Sequence, residues 1–238
     1  MIKVENLGYK YPGLINCFEI KNVSFELREG YITLLVGKNG SGKTTLMKNL
    51  YGILSKNSGK IIYKDKEITY ENMSDYHRDV AYIDENIFYD KYTVRENAEV
   101  FGKLYKSFEF GVFEEMMKKY NINCLDKYYK VLSKGERMKA VICFVLSRKP
   151  KYVIMDEPFA NLDIVVKREI TEFIMEMIGK DETGFFISTH LIDEIEDFVD
   201  YVMVIENGEI KLNGDREKFF KENNDISLSD ALIAEISE

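Results

Sequence analysis

The stretch GKNGSGKT, Gly37 to Thr44, sets glycines, a lysine and a terminal hydroxyl at the spacing that lets a loop wrap a polyphosphate. The glycines free the backbone to turn its N–H groups inward, Lys43 can neutralise β- and γ-phosphate charge, and Thr44 offers a hydroxyl to Mg2+. A second element is VIMDEP, residues 153 to 158, an apolar run that ends in two carboxylates. There Asp156 can join a Mg2+ shell, and Glu157 can polarise a water for attack on a γ-phosphate. His190, in FFISTHLIDEIE, follows another apolar run and could contact the same phosphate and water. The third element is VLSKGE, residues 131 to 136, where Ser133 and Gly135 stand just before a run that reads as a buried helix. A helix start with small residues presents free N–H groups to an anion. A serine there is also an ordinary N-cap, and the two roles use the same geometry.

These residues need elements that bring them to one place. Short β-rich runs at 31–37, 60–63, 79–84, 151–157, 183–189 and 201–208 alternate with longer amphipathic patterns, which predicts an α/β fold with a largely parallel sheet. In such a sheet, ligands bind beyond the carboxyl ends of the strands. The phosphate loop, the Asp156–Glu157 pair and His190 all follow predicted strands, so they converge on that edge. Residues 86 to 148 carry helical periodicity, as in TVRENAEVFGKLY and FGVFEEMMKKY, and read as a helical lobe inserted into the core. The core is then 1–85 with 149–214, and 215–238 is a short polar segment of helical pattern.

Composition narrows the partners. A net charge of -8 and a pI near 5.1 lack the basic footprint of a nucleic-acid binder. The longest apolar run, AVICFVL at 140–146, is far too short for a membrane span, and MIKVENLGYK lacks a signal-peptide core. Any membrane role must come through a partner. Cys17, Cys124 and Cys143 are widely spaced and odd in number, and they read as reduced cytosolic thiols.

Taken in order, the motifs resemble those of the nucleotide-binding subunit of an ABC transporter, over residues 2 to about 213. GKNGSGKTT corresponds to Walker A, LSKGE to the signature, VIMDEP to Walker B, NLD (161–163) to the D-loop and STH to the switch. The resemblance implies a P-loop NTPase of ABC type, with a mainly parallel sheet, an N-terminal antiparallel β portion and the inserted helical lobe. It also implies ATP and Mg2+ as ligands, and a sandwich of two chains in which the signature of one meets the ATP of the other. The nucleotide-contacting set would be Tyr11, Gly37, Asn39, Gly40, Ser41, Gly42, Lys43, Thr44, Thr45, Ser133, Gly135 and Asp163. Tyr11 would stack on adenine, with Tyr9 the neighbouring candidate; Lys43, Glu157 and His190 would be catalytic; Thr44, Asp156 and Glu85 would face the metal.

Two positions depart from the pattern. Glu85 stands where the family commonly has glutamine, and Lys134 replaces the usual middle glycine of the signature, as in many small bacterial exporter ATPases. Lys134 could add charge towards phosphate or be solvated. The resemblance implies an ATPase on the inner face of the cell membrane, paired with a second copy or a homologous subunit. It would drive a separately encoded permease, in the export direction. The alternative is a soluble ATPase of an assembly complex, such as one for iron–sulfur clusters. A degenerate nucleotide-binding module is disfavoured because Lys43, Asp156, Glu157 and His190 are all present.

Overall fold

The computed structural model describes residues 1–12, 18–189 and 196–217. His190, Cys17 and almost all of the C-terminal segment lie outside the described residues. Among the described residues the strands form two sheets, and the larger has the order β10-β9-β3-β8-β7-β6. Its parallel part consists of β9 (Tyr201–Glu206), β3 (Ile32–Val36), β8 (Gly184–Ser188), β7 (Tyr152–Asp156) and β6 (Val80–Ile83), with β10 (Glu209–Asp215) antiparallel at one edge.

Both faces of this sheet are covered, which is why its strands read as continuous apolar runs. Alternate residues serve two cores. Leu34, Val153, Met155, Ile187 and Val204 join the core shared with the helical segment, while Leu35, Ile154, Phe186, Met203 and Ile205 face the other. That second core is closed by the antiparallel sheet β2-β1-β4-β5, formed by β1 (Ile2–Lys10), β2 (Glu19–Leu27), β4 (Ser58–Tyr63) and β5 (Lys66–Glu67), and by helix α1 (Lys43–Tyr51).

The run at 60–63 is therefore a strand, but not of the parallel sheet. It pairs antiparallel with β1, Val4 opposite Ile61. On its other side Lys64 and Asp65, both at positive φ of 50° and 60°, make a two-residue hairpin into β5, so the strand is paired antiparallel on both edges. Helix α2 (Met73–Asp79) then leads into β6.

Between β6 and β7 the described elements are helical: α3 (Val94–Gly102), α4 (Phe110–Lys119), a single 3-10 turn at Tyr129–Val131, and α5 (Lys134–Leu146). Phe144 of α5 sits among Phe88, Phe108 and Phe113, with ring centroids 5.0 to 6.3 Å away. Burying such rings supplies much of the apolar area that holds this segment to the sheet. Helix α6 (Ile164–Asp181) follows β7 and packs on the same core through Ile170, Phe173 and Ile174. Among the described residues no helix is long and apolar enough to cross a membrane.

Candidate active site

The loop Gly37–Gly42 joins β3 to α1, at the carboxyl edge of the parallel strands. Gly42 is the N-cap of α1 at φ 113°, with no side-chain cap, so the N–H groups of the first turn are left to an outside acceptor. A Cβ at Gly42 would lie 2.5 Å from the ring of Phe18, so glycine is required here twice over, by backbone and by space. The loop is braced from behind by the Asn207–Gly208 hairpin turn between β9 and β10, where the Gly208 N–H donates to Ser41 O at 3.0 Å. At Gly208 a Cβ would fall 1.8 Å from Glu19 O.

Lys43 is buried, and its Nζ donates to Gly37 O at 2.7 Å and lies 3.4 Å from Glu157 Oε1. A cleft of about 330 Å3 is lined by Phe18, Asn39, Gly40, Gly42, Lys43, Thr44, Thr45 and Glu157. Ser41 Oγ is buried beside it and has no hydrogen-bond partner among the described residues. A buried unsatisfied hydroxyl is costly.

The carboxylates are held by β8. Ser188 Oγ donates to Asp156 Oδ1 at 2.6 Å and accepts from the Glu157 N–H at 2.9 Å, while Ser188 O accepts from the same N–H at 3.0 Å. Glu157 consequently sits at φ 49°, a region disfavoured for a residue with a side chain, and the turn aims its carboxylate at Lys43. Burial, then the neighbouring Asp156 and Asp84 carboxylates, push the Tyr82 phenol well above its ordinary value, so Tyr82 stays a neutral donor beside Asp156. Ser188, Tyr82 and Phe18 are site residues that motif reading passed over. Ser188 was within reach, because it opens the STH stretch. Phe18 and Tyr82 are visible only once distant segments meet.

Several expected residues stand outside this cleft. The Tyr11 hydroxyl is 3.2 Å from Thr45 Oγ1 and its ring packs edge-on to Tyr9 at 5.0 Å, but neither tyrosine is among the lining residues. Ser133 caps α5 in a reciprocal box: its Oγ accepts from the Glu136 N–H at 3.2 Å, and its own N–H donates to Glu136 Oε2 at 2.9 Å. Gly135, in the same turn, lies under Val166, to which a Cβ would come within 3.0 Å. Asp163 caps α6 by accepting from the Val165 and Val166 N–H groups, each at 3.0 Å. Ser133, Gly135 and Asp163 thus form a second cluster, joined through Val166, and none of them lines the cleft. Glu85, on the loop that follows β6, does not line the cleft either, and its Oε1 lies 3.6 Å from Lys134 Nζ. The thiols Cys124 and Cys143 are buried and free, and burial pushes Cys124 up to about 11 and Cys143 higher still, which leaves both unreactive.

The capping box makes a pH-dependent contribution to stability. The Ser133 N–H bound to Glu136 holds that carboxyl below its ordinary value. A depressed value means that the stabilisation is present above the ordinary carboxylate pKa and is lost as pH falls through the depressed one. Glu136→Ala is expected to cost about 1 kcal/mol in denaturant unfolding at neutral pH. The gap from wild type should close in strong acid; a gap that persists there would contradict the charged cap.

A phosphate loop ahead of a helix, in a mainly parallel sheet whose next-but-one strand ends in Asp156 and Glu157, defines a P-loop nucleotide-hydrolysing fold. Residues 20–160 match the family described as ABC transporter. The energy-coupling factor transporter ATP-binding protein EcfA3 of Clostridium perfringens is 30% identical over 239 residues, covering 93% of this chain and 80% of that protein. The ABC transporter ATP-binding protein YtrB of Bacillus subtilis is 27% identical over 80% of this chain, which spans 65% of YtrB. The solved structure of cbiO1 from Clostridium perfringens, part of the ABC transporter complex cbiONQ, superposes with a TM-score of 0.78 at 28% identity, covering 93% of this chain and 91% of that one. The chain belongs to the ABC transporter family and is an ATP-binding cassette of ABC ATPase type.

Proposed function

We propose that the chain binds ATP in the Phe18–Glu157 cleft, hydrolyses it as a two-chain sandwich, and transmits the opening and closing of that sandwich to a membrane permease. The observation that carries the chemistry is Lys43, placed between the phosphate-loop carbonyl of Gly37 and the Glu157 carboxylate.

The loop N–H groups and Lys43 hold the triphosphate, and Phe18 offers a flat apolar face at the rim of the cleft. Thr44 and Asp156 supply the oxygen ligands that fit Mg2+, a hard cation that takes carboxylate and hydroxyl oxygens together with water. The metal's contribution when bound is to offset charge on the phosphate oxygens. Glu85, the third residue expected to face the metal, is paired with Lys134 at 3.6 Å. Glu157 accepts the proton of the attacking water, and Ser188 fixes its backbone for that task. His190 is assigned the contact to phosphate and water by its place after β8.

The sandwich reading is supported by the separation of the two clusters within one chain. Ser133, exposed at the start of α5, and Gly135 beside it do not line their own cleft, so they suit the nucleotide of another copy or of a homologous subunit. Because each γ-phosphate is then held from both sides, hydrolysis removes the shared ligand and the pair opens.

Residues 86–148 form the lobe that receives the permease. Their surface exposes Tyr89, Tyr92, Tyr128 and Val131, with the Tyr89 and Tyr92 rings 5.9 Å apart and the Tyr129 N–H donating to Tyr92 O. Exposed apolar groups gathered in this way mark an interaction surface. The chain would then lie on the inner face of the membrane through that partner, and the motif pattern favours export. Purification from native membranes tests this: the expected companion is a multispanning protein, released by Tyr89→Glu with Tyr128→Glu. A soluble assembly partner in its place would replace the transport reading.

A further inference from the structure

The edge that would receive the triphosphate is rich in negative charge. β6 and β7 run parallel with Ile83 opposite Met155, so Asp84 and Glu85 leave the sheet beside Asp156 and Glu157. Four acidic residues therefore leave the sheet at one edge, where unpaired negative charge would repel phosphate. Two lysines answer them. Lys43 lies 3.4 Å from Glu157, and Lys134 lies 3.6 Å from Glu85.

The second pair has a built setting. Glu85 Oε2 is buried with no hydrogen bond among the described residues, and Lys134 is the cation that faces that carboxylate. The Tyr129 hydroxyl donates to the Glu85 backbone carbonyl, fixing the residue from the helical side. Arg137, three residues further along α5, lies 3.2 Å from Asp90 and stacks over the Tyr129 ring at 4.8 Å. Two basic residues of the α5 first turn thus face two acidic residues of the loop that follows β6.

We infer that Lys134 is a positioning residue that neutralises Glu85, allowing this chain to keep a carboxylate on the loop beside the nucleotide and tying that loop to the Ser133–Gly135 helix start of the same chain. The inference rests on the ATP-binding reading above. It differs from a direct contact of Lys134 with phosphate, because here the lysine acts through Glu85. Removing Lys134 leaves the Glu85 charge uncompensated at the strand edge that would receive the triphosphate, and removing the Glu85 charge as well takes that penalty away.

The test is a double-mutant cycle on the full chain, read as KM and kcat for ATP-Mg. Lys134→Gln should raise KM roughly fivefold with a smaller change in kcat, the size expected for loss of a partly exposed ion pair beside a charged ligand. Adding Glu85→Gln to it should bring KM back to within about twofold of wild type, since two amides restore neutrality. Lys134→Met, with and without Glu85→Gln, repeats the comparison with a residue that cannot hydrogen-bond strongly, and thermal unfolding of each variant checks folding. A double variant as impaired as Lys134→Gln, or worse, would overturn the inference and leave Lys134 on the phosphate or Glu85 on the metal. So would a Lys134→Gln KM equal to wild type. The Kd for ATP-Mg, measured in parallel, is read by the same rule. A wild-type chain that binds nucleotide without turning it over would then count against the hydrolysis reading while the binding cycle still decides the pair.

Discussion

Lys43→Ala is expected to lower ATP turnover by at least about a hundredfold, the usual cost of losing one preorganised charge stabiliser at a transferring phosphoryl group. Among the described residues that line the cleft Lys43 is the one cation, and its Nζ is fixed by Gly37 O at 2.7 Å. The substitution also removes a partner of Glu157, which lies 3.4 Å away in a partly buried setting. A loss in kcat with a rise in KM should follow, measured by phosphate release. Turnover near that of wild type would remove the phosphate-loop assignment altogether.

Glu157→Gln should leave ATP binding in place while slowing hydrolysis by about 10² to 10⁴-fold, because the amide keeps the shape and cannot accept a proton from water. Its backbone need not move: the Ser188 contacts that hold the turn at φ 49° go to the Glu157 N–H, not to the carboxylate. Slow hydrolysis should trap the two-chain form, so size-exclusion chromatography with ATP-Mg should show a dimer that the wild type holds only briefly. Crosslinking covers the case of a weak dimer. A variant that remains monomeric by both methods at saturating ATP would contradict the sandwich.

The parallel core was legible because each strand, buried on both faces, leaves an uninterrupted apolar run such as YVIM or GFFI. The phosphate loop and the Walker B carboxylates were legible because their chemistry is local in sequence. The antiparallel sheet was legible as a portion and not strand by strand. β1 and β2 mix charge with apolar residues, and their pairing is interrupted by register shifts between Val4 and Leu7 and between Leu7 and Tyr9. What periodicity cannot carry is contact at long range. Phe18 enters the cleft from one sheet, Ser188 steadies Asp156 from the neighbouring strand, and Lys134 meets Glu85 across 49 positions of chain, which no spacing rule anticipates. Ser133 shows the opposite case, for its role as a cap was readable from S-x-x-E alone and the capping box is there.

The central claim is that the Ser133–Gly135 helix start serves the nucleotide of the other chain, and a mixture of two inactive variants tests it. Lys43→Ala disables the cleft of its own chain, while Ser133→Arg obstructs the phosphate bound by its partner. Each variant alone then has no complete site. In a mixed dimer, the intact cleft of the Ser133→Arg chain faces the intact helix start of the Lys43→Ala chain, and one site is rebuilt. With Glu157→Gln added to both chains so that captured nucleotide persists, ATP occlusion should be absent from each variant alone and should appear on mixing. Verified mixed dimers that occlude no ATP would contradict the account and leave Ser133 as a helix cap only.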